Sequence, residues 1–101
     1  MNQSKSMLDF FRTMQRALLG NVTPNLRAVY AFIEDDTYGI IFYYDQPLSE
    51  DEEELASLTD TEFLADFPDD KTTCDIQVIP YPKAIPKKGY CVYQRYEKHE
   101  E

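Results

Sequence analysis

The 101-residue chain has no tryptophan, one histidine, two cysteines and three glycines, and each scarcity removes a class of chemistry. His99 lies in a polar end, so no second imidazole exists for an ordinary metal set or a Ser-His-Asp arrangement, and no Cys-His pair is credible. Gly20, Gly39 and Gly89 are isolated, which leaves no phosphate-cradling loop and no dinucleotide fingerprint. Cys74 and Cys91 lack CxxC spacing and sit in strand-like runs, so two reduced, half-buried thiols are expected. No apolar run approaches the roughly 18 residues of a membrane span, and no basic-then-apolar leader opens the sequence. The expectation is a cytoplasmic protein without cofactor or metal.

Positive charge is the most unevenly distributed absence. Ten Lys and Arg face nineteen Asp and Glu, a formal charge of −9, and no Lys or Arg occurs between Arg27 and Lys71. That interval holds fourteen carboxylates: Glu34, Asp35, Asp36, Asp45, Glu50, Asp51, Glu52, Glu53, Glu54, Asp60, Glu62, Asp66, Asp69 and Asp70. Such a surface repels nucleic acid and anionic lipid and attracts basic proteins. Ser49 with Glu52 forms a capping box, and acids in a helix's first turn are favoured by its dipole. These effects account for two or three carboxylates and leave the others without a structural reason.

What is present describes a folded protein. Hydrophobic residues make up 43 % and aromatics 14 %, enough for one core and one domain over residues 1–101. Ser6 caps a first helix whose Met7, Phe10, Phe11, Met14, Ala17 and Leu18 recur at three- and four-residue steps, ended by Gly20. Pro24 lies in a connector, and Leu26–Ile33 and Tyr38–Tyr44 read as a hairpin. Both strands are apolar or aromatic almost throughout, which calls for a neighbour on both faces or an aromatic face offered to a partner.

The acidic helix begins at Pro47-Leu48-Ser49, anchored by Leu48, Leu55, Ala56 and Leu58. Past Thr59 its phase fails, because a longer helix sets Glu62 and Asp66 in the Leu55 and Leu58 face. A period of two fits Thr61–Phe67 better, and the expectation is a helix ending near Asp60 followed by a strand. Pro68-Asp69-Asp70-Lys71 has turn chemistry, Thr73–Pro80 alternates as a strand, Tyr81–Gly89 is an extended loop, and Tyr90–Tyr96 is the last strand. Residues 1–5 and 97–101 are expected to fray. The sum is an α+β domain, ordered α-β-β-α-β-β-β, with a mainly antiparallel sheet of about five strands. Two helices cover one face, and the other is left rich in exposed tyrosine.

The segments Ala17 to Val29 (ALLGNVTPNLRAV), Phe42-Tyr43-Tyr44-Asp45, Ala65-Asp66-Phe67-Pro68, Tyr81-Pro82 and Gly89 to Arg95 (GYCVYQR) together resemble small bacterial immunity proteins of the contact-dependent growth inhibition type. The likeness runs from Arg16 to Glu97 and is one of overall pattern. It implies a single-domain cytosolic protein, not an enzyme, that binds the C-terminal toxin domain delivered by a neighbouring cell, often a nuclease. Such a protein contacts neither nucleic acid nor membrane directly.

Charge and exposure alone select the contact residues: Glu50, Asp51, Glu53 and Glu54 of the acidic helix, Asp35 and Asp36 of the hairpin, and Asp69 and Asp70 of the later turn. The alternative is an acidic adaptor or nucleic-acid mimic that fills a basic cleft of another protein. A third class, a small enzyme or calcium site, would rest on Asp45, Glu62 and Asp66, where desolvation can raise a carboxyl pKa.

Overall fold

The computed structural model describes residues 7–67 and 71–97, excluding the side chains of Met7, Leu8 and Asp66. Helix α1 spans Met7–Leu18 and turns Phe10, Met14, Ala17 and Leu18 into the core. Gly20 adopts φ 78°, the left-handed end expected of it, and the Asn21 N–H closes the last turn on the Leu18 carbonyl at 2.9 Å. The proposed cap, Ser6, lies outside the described residues.

Strands β1 (Leu26–Glu34) and β2 (Thr37–Tyr44) pair antiparallel with Glu34 opposite Thr37. Asp35 and Asp36 form the two-residue turn at φ 52° and 64°. This is the primed geometry whose twist suits a hairpin, and Asp tolerates it better than most residues. The near-continuous apolar character of the hairpin follows from burial on both sides. Val29, Ala31, Ile40, Phe42 and Tyr44 point to the helices, while Ala28, Tyr30, Ile41 and Tyr43 point the other way and are equally buried.

That second face corrects one expectation. The tyrosines there are not exposed, because the segment following β3 folds back so that Ile79 and Ile85 pack against Tyr30 and Tyr43. Among the tyrosines only Tyr81, Tyr90 and Tyr96 are substantially exposed.

Helix α2 corrects another. It runs unbroken from Glu50 to Asp66, and Thr61–Phe67 forms no strand. The core stripe is Ala56, Thr59, Phe63 and Phe67, one step round from the Leu55 and Leu58 face, and Leu58 is 49 % exposed. Glu62 therefore faces solvent without conflict. A polar residue in the buried stripe, Thr59, hides the periodicity, and its hydroxyl is satisfied by the Leu55 carbonyl at 3.0 Å. Phe63 stacks on Phe10 of α1 and Phe67 meets the same ring edge-to-face, both at centroid distances of 5.5 Å.

With that strand removed, the sheet has four strands in the order β3-β2-β1-β4, where β3 is Lys71–Val78 and β4 is Tyr90–Gln94. The α2 crossover makes β3 parallel to β2, while β4 pairs antiparallel with β1, so the sheet is mixed. The α+β class stands. The expected turn at Pro68-Asp69-Asp70 lies outside the described residues, as do residues 98–101; Glu97, expected to fray, is held by two arginines.

Gly89, at φ 84°, leads the chain into β4 directly against the Ala31 carbonyl, leaving no room for a Cβ. Gly89→Ala should therefore destabilise the protein by roughly 1–3 kcal/mol, read as a lower urea midpoint at an unchanged m-value.

Candidate functional site

The start of α2 is built by one carboxylate and decorated by four others. Glu52 takes the N3 position of the capping box, its Oε1 accepting from the Ser49 N–H at 3.0 Å while its own N–H donates to Ser49 Oγ at 3.2 Å. The same carboxylate accepts from Asn25 Nδ2 at 3.1 Å and Thr23 Oγ1 at 2.8 Å, fastening the helix to the connector before β1. Partial burial draws the Glu52 carboxyl upward, but its hydrogen bonds outweigh that and hold it below the ordinary range.

Glu50, Asp51, Glu53 and Glu54 are exposed around it. They complement the helix dipole, and α2 contains eight carboxylates and no cation. The fold uses Glu52 and leaves these four available.

The other chosen residues do not join them. Asp35 and Asp36 are exposed at the hairpin tip, where Thr37 pairs with Lys71, whereas α2 begins beyond the opposite end of β2. The length of β2 separates the two groups, roughly 25 Å at the usual strand rise. Acidity at the tip is partly answered, since Lys88 Nζ reaches Glu34 at 3.1 Å. Asp69 and Asp70 lie outside the described residues.

The three carboxylates considered for catalysis or metal also separate. Glu62 is exposed on α2, and the Asp66 side chain is not among those described. Asp45 is a tie: its Oδ1 accepts from the Tyr81 N–H at 2.9 Å and its Oδ2 pairs with Arg95 Nη2 at 3.2 Å. The Tyr81 bond chiefly, then Arg95, overcome partial burial and hold the Asp45 carboxyl below the usual range. Among the described residues no group of three or more His, Cys, Asp or Glu could hold a metal ion.

The residues the sequence reading missed are Arg27, Arg95 and Glu97. Arg27 is 3 % exposed, and its Nε and Nη2 grip Glu97 at 2.7 and 2.9 Å while Nη1 donates to the Ile79 and Lys83 carbonyls at 2.7 and 2.8 Å. Arg95 joins Glu97, Asp45 and the Pro24 carbonyl. Beside this network lies a hollow of about 520 Å³ between β1 and the 81–87 segment, lined by Tyr30, Ile85, Lys83 and Lys87. The guanidinium of Arg27 is turned to its protein partners there. The signal available in the sequence was an arginine inside an otherwise apolar strand.

A comparison with known families adds to this geometry. A family profile described as MafI2 immunity protein matches residues 8–97. The chain belongs to the MafI2 immunity protein family. No curated protein gives a match. Membership bears out the resemblance to small toxin-immunity proteins, and a toxin is the partner such a family implies. No described helix is long and apolar enough to cross a membrane.

The Cys74 and Cys91 thiols are both free, on opposite edge strands of the sheet, and both residues are exposed rather than half-buried. The Cys74 thiol is nevertheless pushed up to about 12, first by local burial and then by Asp60 and Asp75. A thiol held protonated in this way is a poor nucleophile at neutral pH.

The Glu97 carboxyl is held low chiefly by its bond to Arg27, against the opposing effect of burial. A depressed carboxylate contributes stability that is complete above its unfolded pKa and is lost as pH falls through the folded value. Unfolding midpoints should therefore drop as pH is lowered from about 5 to about 3. Glu97→Gln should cost about 3 kcal/mol at pH 7 by leaving Arg27 buried and uncompensated, and should flatten the acid limb of the stability profile.

Proposed function

We propose that this member of the MafI2 family neutralises a cognate toxin domain by binding it through an acidic surface, without turnover of its own. The centre of that surface is the start of α2. Glu50, Asp51, Glu53 and Glu54 make the principal contact, Asp35 and Asp36 extend it toward the other end of the sheet, and Asp69 and Asp70 are further contact residues chosen on charge. The observation that carries the reading is the division of labour at α2: Glu52 alone serves the capping box and the connector, and four exposed carboxylates surround it on a helix with no cation. Like charges crowded on one helix destabilise it, and a basic partner turns that cost into attraction.

The partner is a basic, nuclease-like toxin domain delivered by contact between cells, and the two meet in the cytoplasm. Spaced carboxylates occupy the positions where the toxin would otherwise hold phosphates. Its active site is thereby blocked directly or its substrate repelled.

Co-expression with the C-terminal domain encoded by the adjoining upstream reading frame tests this. That domain should be toxic alone and harmless with the protein, and the complex should associate more slowly as salt rises. Converting Glu50, Asp51, Glu53 and Glu54 to Gln and Asn should slow association roughly tenfold or more at low salt while leaving a cooperatively melting fold, since lost dipole complementation and relieved repulsion oppose each other. Undiminished toxicity in the presence of the protein, or association indifferent to both salt and these four substitutions, would refute the reading.

A further inference from the structure

We infer that the outer edge of β3 seats an extended segment of the toxin partner, one whose side chains alternate between apolar and basic. This rests on the binding role just proposed and deepens it by adding main-chain pairing to charge.

Exposed edge strands are usually blunted by shortness, proline, bulges or charge, because unpaired backbone invites other chains. The β4 edge follows that pattern, with five residues, a register irregularity against β1, and its Val92 carbonyl occupied by Gln15 Nε2 at 2.9 Å. The β3 edge has only the charges of Lys71 and Asp75 by way of such protection. It has eight residues in unbroken parallel register with β2, no proline, and no strand on its outer side among the described residues. Ile76 and Val78 beside it are 42 % and 41 % exposed.

The backbone direction is settled by one bond. The Ile79 N–H donates to the Tyr44 carbonyl of β2 at 2.8 Å, so by strand alternation Thr73, Asp75 and Gln77 also face β2. The N–H and C=O groups of Thr72, Cys74, Ile76 and Val78 then point outward. Consistent with this, the Ile76 N–H is held by its neighbour's side chain, Asp75 Oδ1 at 3.0 Å, while Gln77 Nε2 donates to Oδ2 at 3.0 Å. A carbonyl from an added strand would take the place of that carboxylate.

Charge and hydrophobicity specify the occupant. On the helix side an incoming strand meets Ile76 and Val78, with Asp60 of α2 near enough to influence the Cys74 thiol. On the opposite side it meets Asp75, freed from the Ile76 N–H. Apolar side chains suit the first face and basic ones the second, the alternation that strand addition reads. A second copy of this chain, itself at −9, is disfavoured by charge.

The test is amide exchange on the full chain, alone and in the complex purified by co-expression with the adjoining toxin domain. The Thr72, Cys74, Ile76 and Val78 amides should exchange quickly in the free protein and slow by roughly a hundredfold or more in the complex. Ile76→Pro removes an outward donor yet leaves the β2 bonds, and should weaken binding roughly tenfold or more in a chain that still melts cooperatively; Ile76→Ala, which keeps the donor, should lose less. A complex in which these amides exchange as freely as before overturns the edge assignment alone, even if Ile76→Pro fails to fold. A partner-free dimer protecting the same amides also overturns it, making the occupant a second copy. Failure to form any complex defeats the proposed function itself and the edge assignment with it.

Discussion

A guanidinium taken out of water must be surrounded by acceptors, and the layer behind the sheet is arranged around that demand at Arg27. Its two carbonyl partners come from the segment after β3 and its carboxylate from beyond β4, so one side chain gathers three distant stretches of chain. Asp45 and Arg95 extend the network to the end of β2 and the connector before β1. Once the loop is fixed, Ile79 and Ile85 can cover Tyr30 and Tyr43, and the hairpin becomes a strand pair buried on both sides. The Arg27 pKa is raised mainly by its bond to Glu97, against desolvation, so the pairing favours its charged form.

Double-sided burial limits what the sheet exposes. With the helices on one face and the loop on the other, the broad surfaces of the central strands are largely covered. What remains is peripheral: the carboxylates around the start of α2, the hairpin tip, and the outer strand β3. For a protein whose family works against a toxin, this is a workable division. In the binding mode proposed above, long-range attraction from carboxylates would bring a basic partner near, and short-range pairing at a strand edge would fix its orientation.

Much of the architecture was legible in the sequence because local chemistry and tertiary environment agreed. The α1 stripe, the Gly20 stop, the Asp35-Asp36 turn and the Ser49–Glu52 box all carry their geometry in a few adjacent residues. Misreading began where a buried position was filled by a polar residue. Thr59 in the α2 stripe made a continuous helix look like a helix and a strand, and that single error supplied the fifth strand and the mainly antiparallel sheet. Arg27 was obscure for a related reason, since it sits at a register irregularity between Leu26 and Ala28 where alternation no longer tells inside from outside. At the site, the carboxylates were legible as charge but their grouping was not. Only the path of the chain shows that Asp35 and Asp36 lie at the far end of the sheet from Glu50 and its neighbours.

The bond between Arg27 and Glu97 spans 70 positions in the chain. During synthesis, a ribosome-bound intermediate that has already displayed β1, β2 and the whole of α2 still lacks the carboxylate that neutralises Arg27 and the strand that closes the β1 side of the sheet. At a synthesis rate of roughly 5–20 residues per second the acidic helix can emerge a few seconds before its scaffold is complete, and the finished fold exists only once Glu97 has left the exit tunnel. The moment at which the fold closes is thus set by a residue near the far end of the chain and not by the helix that carries the charge.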